Sequence, residues 1–282
     1  MEDVVTIYFQ GNNAPRTQAC KYAGKAGLDV RTTKNEVEHV YNPDAPHLLH
    51  NLFLYNELND IEYGCTWNPC HWLSGAVQKA GVWYYNVYGT SCTPHNKWSV
   101  LNLAGTEDVT QYVNAIKDCI RQHPEKKIVL FGTSRGAATL ITTLSVLTTP
   151  QLSHIKLAIA EAPFATVESV LYDTWPSPMV PCILGLLEWY TQFRREQWSP
   201  LDAVRSASFP LQVPLLFVTS EIDKMVPVCN TMQLIDVLQS KEHPDLHHLK
   251  LQRSHHSTMS IDDAEDQEAY LNQVRRLYRK YL

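Results

Sequence analysis

The sequence has no excess of basic charge. Its 24 lysines and arginines are outnumbered by 29 aspartates and glutamates, a net charge of -5, and the isoelectric point lies near 6.2. No cluster of Lys and Arg could neutralise successive phosphates along a duplex, so nucleic acid is not an expected partner. No run of 18 apolar residues occurs, which argues against stable membrane insertion. The acidic start Met1-Glu2-Asp3 leads into a short apolar run, Val4-Val5-Thr6-Ile7-Tyr8-Phe9, unlike the basic flank and long apolar core of a signal peptide. Cysteine is odd in number and scattered: Cys20, Cys65, Cys70, Cys92, Cys119, Cys182 and Cys229. That distribution does not suit a disulfide framework and fits reduced thiols in a cytoplasmic protein. Internal repeats and low-complexity tracts are also missing, which excludes solenoids and collagen-like chains.

What is present is a chain of 282 residues, 44% hydrophobic, long enough to bury a full core as one domain. Short apolar runs alternate with helical patterns, the signature of a mostly parallel central sheet flanked by helices, an α/β class. Strands are expected at 4–9, 128–132, 155–160, 214–219 and 247–252, and helices near 15–26, 107–122, 135–147, 229–240 and 262–281. Ser260 and Asp263 are spaced as a capping box for the last helix. Its core-facing residues are expected to be Ala264, Tyr270, Leu271, Val274, Leu277, Tyr278 and Tyr281. Two segments break the alternation. Residues 33–105 hold Trp67, Trp72, Trp83 and Trp98 with Asn-Pro turn signals, and read as an ordered insertion, with 82–88 or 98–103 able to supply another strand. Residues 175–198 hold the other three tryptophans and the apolar patch from Met179 to Leu187, and read as a cap segment over the site.

The chemistry centres on Gly132-Thr133-Ser134-Arg135-Gly136, which follows the apolar run Ile128-Val129-Leu130-Phe131 and precedes a helix-prone run. Strand, glycine-flanked serine and helix form the layout of a nucleophile elbow. The turn strains the serine and brings neighbouring backbone close, so glycines at 132 and 136 relieve collisions. A serine hydroxyl also needs a histidine to take its proton and a carboxylate to orient that histidine. Asp223 lies just past the run Leu215-Leu216-Phe217-Val218-Thr219 and is the preferred acid, with Glu221 the alternative. His256, with His255 as alternative, follows the last strand in Arg253-Ser254-His255-His256-Ser257. The order Ser, Asp, His suits this topology. The oxyanion hole would use the backbone N–H of Arg135 and, after Gly11 turns the first strand's end, that of Asn12. Nothing in the sequence calls for a cofactor. Cys65, Cys70, Cys92 and His95, with His71 as substitute, could hold a structural zinc, but the first spacing is loose and buried cysteines are common.

With these residues the chain resembles the α/β-hydrolase superfamily over positions 4–32 and 106–282. The resemblance rests on the elbow, on Ser220-Glu221-Ile222-Asp223-Lys224-Met225-Val226-Pro227 and on His256-Ser257. Tyr8-Phe9-Gln10-Gly11-Asn12 looks like the family's His-Gly oxyanion segment, with Gln10 where histidine is common. Ser199-Pro200-Leu201-Asp202-Ala203-Val204 looks like the approach to the acid strand in esterase and peptidase-like members. The family usually has a β-hairpin before the oxyanion strand, so a first strand at residue 4 implies a sheet lacking its first edge strands. The resemblance implies a serine hydrolase acting on a small acyl substrate, a carboxylic ester, thioester or amide, through an acyl-enzyme. The alternative is a protein that keeps the fold for binding and has lost turnover, although all three triad residue types are present.

Overall fold

The computed structural model describes residues 4–9, 29–32, 37–40, 52–53, 104–190, 193–256, 259 and 262–282. Its strands are β1 (Val4–Phe9), β2 (Asp29–Thr32), β3 (Val37–Val40), β4 (Leu52–Phe53), β5 (Lys127–Thr133), β6 (Ile155–Glu161), β7 (Leu215–Ser220) and β8 (Leu246–Leu251). Six of these form one parallel sheet in the order β4-β1-β5-β6-β7-β8. β2 and β3 pair antiparallel as a separate hairpin, whose connection contains position 33, the expected start of the insertion. Among the described residues the sheet ends at β4 on that side. β4 lies inside the 33–105 segment, so that segment contributes a strand to the sheet. The positions 82–88 and 98–103, the helix expected at 15–26, and the cysteines and histidines weighed as zinc ligands all lie outside the described residues.

The helices are α1 (Thr106–Gln122), α2 (Arg135–Val146), α3 (Thr149–Leu152), α4 (Val167–Thr174), α5 (Val180–Tyr190), α6 (Pro200–Arg205), α7 (Val228–Ser240) and α8 (Ala264–Tyr281), with a 3-10 turn at Ser177–Met179. No helix among the described residues is long and apolar enough to cross a membrane.

Because successive strand side chains point to opposite faces, the central strands feed two cores. Val129 and Phe131 of β5, Leu157 and Ile159 of β6 and Leu216 and Val218 of β7 pack with Tyr270, Val274, Leu277 and Tyr278 of α8. Ile128 and Leu130, Ala158 and Ala160, and Leu215 and Phe217 pack on the other face with α1, α2 and α7, through Ile116, Leu140, Ile141, Leu234 and Leu238. Burial on both faces explains why these strands read as unbroken apolar runs rather than alternating ones. Residues 175–198 supply the 3-10 turn and α5. Val180, Leu184 and Phe193 pack against Val167 and Leu171 of α4 in a third, smaller cluster.

The C-terminal helix departs from expectation at its start. Asp263 is its N-cap, accepting the N–H groups of Glu265 and Asp266, so the Ser260–Asp263 capping box does not form the boundary. Ser260 itself lies outside the described residues. In the first turn Ala264 is exposed and Asp266 is buried, a polar residue where an apolar one was expected. Its carboxylate accepts the N–H groups of Gln252, Arg253 and Ser254 at 3.0, 2.7 and 2.7 Å and the Ser254 hydroxyl at 2.8 Å. Burial pushes the Asp266 carboxyl up, and the hydrogen bonds from Gln252, Arg253 and Ser254 outweigh it, leaving it below the ordinary value. At its other end the helix is held by Asp245, which accepts from Lys280 Nζ at 2.7 Å and from the Tyr281 hydroxyl at 2.5 Å.

These observations give two stability predictions. A Cβ on Gly132 would lie 2.8 Å from the Gly136 carbonyl oxygen and 2.9 Å from the Ala137 backbone. Gly132→Ala should therefore cost about 2 kcal/mol or more, seen as a lower urea midpoint; an unchanged midpoint would contradict the close approach. Asp266→Asn should cost about 3 kcal/mol at neutral pH, since buried donors lose an ionised acceptor. A depressed carboxylate stabilises the fold fully above its unfolded-state value of about 3.9 and loses that contribution as pH falls through its folded value. The gap between wild type and Asp266→Asn should thus be constant above about pH 5 and shrink below about pH 4. Unfolding curves with a gap independent of pH would refute this.

Candidate active site

The carboxyl edge of the sheet assembles the site. Ser134 lies at the end of β5 and caps α2, with φ 55° and ψ -120°, a left-handed conformation that costs of order 1–2 kcal/mol for a residue with a side chain. The turn is held from both sides. Ser134 donates its N–H to the Glu161 carbonyl at 2.8 Å on the neighbouring strand, and the Ser134 carbonyl accepts from Ala138 at 3.0 Å. Gly132 permits the tight return of the chain past the strand end.

Asp223 occupies the loop after β7. Its Oδ1 accepts the N–H groups of Met225 at 2.8 Å and Val226 at 3.0 Å, so the buried carboxylate keeps backbone partners on one oxygen. Its Oδ2 is 2.7 Å from His256 Nδ1, and His256 Nε2 is 2.8 Å from Ser134 Oγ. The His256 and Asp223 side chains are 10% and 1% exposed, so both lie largely out of contact with water.

The residues weighed as alternatives stand apart from these contacts. His255 turns outward, 75% exposed, and its Nδ1 lies 2.5 Å from Asp262 Oδ2. Glu221 forms an exposed ion pair with Lys250 and does not join the relay. Arg135 is the first residue of α2, so its N–H lies at the positive end of that helix beside Ser134. Its guanidinium lies 3.9 Å from the buried Asp108 carboxylate, which also accepts the N–H of Ala104 at 3.1 Å, tying the elbow to the start of α1. Asn12, the other expected oxyanion donor, lies outside the described residues.

Other polar groups at this edge had no recognisable pattern in the sequence. Glu161 is fully buried beside the elbow and accepts the Thr133 hydroxyl at 3.3 Å. Ser220, at the end of β7, donates its hydroxyl to the Ser254 carbonyl, joining the acid and base loops. Only spacing relative to a known strand end could have marked them. A cavity of about 150 Å³ opens between the body and the 193–198 stretch, with Ala104, Phe164, Phe193, Trp198 and Leu201 in its wall and Arg205 among its polar groups.

Comparison with known proteins follows the same lines. The sequence profile of the prolyl oligopeptidase family matches residues 86–278, more than half of the chain. No curated protein matches by sequence. An esterase of Pyrococcus furiosus is similar in structure, with TM-score 0.54 and 14% identity over 99% of this chain and 83% of that one. The acylaminoacyl peptidase of Pyrococcus horikoshii aligns with TM-score 0.54 and 13% identity over 100% of this chain, which spans only 37% of the peptidase. At these identities the structural likeness speaks for a shared fold, and the family match agrees with the serine elbow and sheet order. The chain belongs to the prolyl oligopeptidase family of serine hydrolases, on an α/β-hydrolase fold.

Proposed function

We propose that Ser134 is the nucleophile, His256 the general base and Asp223 the orienting acid of a hydrolase that forms an acyl-enzyme, with carboxylic esters as its first substrate class. The observation that carries this reading is the unbroken relay from Asp223 Oδ2 through the two nitrogens of His256 to Ser134 Oγ, at 2.7 and 2.8 Å. With Nδ1 facing a carboxylate, the proton belongs on Nδ1, which leaves the Nε2 lone pair to accept from serine.

In the first half-reaction Ser134 Oγ attacks the substrate carbonyl carbon as its proton passes to His256 Nε2. The carbonyl oxygen becomes an oxyanion held by the Arg135 N–H and, on the sequence argument, by the Asn12 N–H. Collapse of the tetrahedral adduct breaks the bond to the leaving group, which departs with the proton from Nε2. Water then repeats the sequence on the ester of Ser134, giving its proton to His256, and the second collapse returns that proton to Ser134 Oγ. Asp223 holds the imidazole through Nδ1 and stabilises the imidazolium. Thioesters and amides follow the same path, amides depending most on proton delivery because an amine leaves poorly unprotonated. We read residues 175–198 as the cap that shapes the acyl site, on the strength of the exposed apolar side chains Trp175, Met179, Leu186, Trp189 and Trp198 that this segment carries.

The decisive experiment is a fluorophosphonate reaction on the folded protein. The adduct should map to Ser134, and Ser134→Ala should lose labelling and at least roughly 10³-fold of turnover on p-nitrophenyl esters. A folded wild type that takes no label and turns over no ester would leave a non-catalytic binding protein. The histidines give a second test: His256→Ala should lose activity to a similar degree, whereas His255→Ala should retain turnover within about threefold because its ring faces Asp262 and solvent. The opposite ranking would reassign the base.

A further inference from the structure

The base loop is held by a carboxylate that belongs to neither the acid loop nor the nucleophile elbow. Gln252, Arg253 and Ser254 are consecutive, and all three backbone N–H groups converge on Asp266, joined by the Ser254 hydroxyl. His256 is the second residue after this wrapped segment. Ser254 is fully buried, and its carbonyl accepts from Ser220 Oγ. The Ser220 carbonyl in turn accepts the N–H of Asp223 at 3.2 Å. One continuous set of hydrogen bonds therefore runs from the first turn of α8 through the base loop to the acid.

Helix capping does not account for Asp266. Asp263 already serves as N-cap, accepting two N–H groups of the first turn, whereas the Asp266 carboxylate turns outward from its own helix to the strand exit. A buried ionised group is costly without full hydrogen bonding, and here the donors are supplied by the loop whose shape decides where the imidazole stands.

Resting on the triad reading above, we propose that Asp266 is a positioning residue for catalysis: it fixes the backbone at 252–254 so that His256 meets Ser134 Oγ and Asp223 together. The side chain touches no reacting atom. Catalytic geometry lost by about 1 Å costs on the order of 10²-fold in rate, and this loop has no regular secondary structure of its own to hold it.

The test uses the full chain, p-nitrophenyl acetate as substrate, and a temperature at which circular dichroism shows every variant folded. Asp266→Ala should lower kcat about 10- to 100-fold with KM within about threefold, and Asp266→Asn, which keeps one acceptor oxygen, should recover part of that loss. Asp245→Ala is the control, because it loosens the far end of the same helix without touching the base loop, and its kcat should stay within about threefold of wild type. Unchanged kcat in both Asp266 variants, or an equal fall in Asp245→Ala, would overturn the proposal and leave Asp266 a purely structural anchor. Should Asp266→Ala not fold, the Asp266→Asn and Asp245→Ala comparison decides alone. A wild type inert to fluorophosphonate and ester removes the triad and the positioning role together; a reactive wild type matched by its Asp266 variants removes the positioning role only.

Discussion

The hydrogen bond between His256 Nε2 and Ser134 Oγ closes a gap of 122 positions in sequence at a distance of 2.8 Å. Nothing local could hold those two groups together. A parallel sheet does so because all its strands end at one edge, so loops after β5, β7 and β8 emerge side by side whatever their separation along the chain. The buried apolar faces of β5, β6 and β7 make that edge rigid, with α8 packed on one face and α1, α2 and α7 on the other. The fold thereby fixes strand ends, and short polar contacts then set the last few ångströms.

Two buried carboxylates carry out that finer adjustment in different ways. Asp223 gives one oxygen to backbone N–H groups of its own loop and the other to His256, so the residue is held while its second oxygen still faces the imidazole. Asp266 gives its oxygens to the strand exit leading into the base loop. Each is a charge excluded from water whose cost is offset by donors that need ordering in any case. The strained Ser134 backbone is held on the same principle, by the Glu161 carbonyl on one side and the first turn of α2 on the other. Arg135 and Asp108 brace that turn against α1.

The central fold was largely legible in the sequence because doubly buried strands must be nearly continuous apolar runs. The strand at 4–9 has the expected bounds, the one at 128–132 extends by a residue at each end to Lys127–Thr133, and the one at 214–219 shifts by one residue to Leu215–Ser220. β4 escaped notice since Leu52 and Phe53 alone carry no period. The last helix, expected from 262, begins at Ala264 because Asp263 is its N-cap; Asp266 could not be read as a buried residue, since it is buried by hydrogen bonding rather than by apolarity. The elbow was visible as a glycine-flanked serine between strand and helix. The sequence favoured His256 over His255, but which ring stands beside Ser134 and Asp223 is visible only in the folded loop, because adjacent loop residues face opposite ways without any fixed period. Ser220, Ser254 and Asp266 belong to ordinary polar stretches, and their shared role depends on contacts that only the folded sheet edge creates.

In the proposed mechanism Ser134 and His256 work as one unit through that single hydrogen bond. Residues acting as a unit give strongly non-additive losses, because once one is removed the other has nothing left to do. The most direct measurement is kcat on p-nitrophenyl acetate for Ser134→Ala, His256→Ala and the double variant, each confirmed folded. The relay predicts that the double variant is no slower than the worse single variant. Losses that multiply in the double variant would mean that the two residues contribute independently, and would contradict the relay.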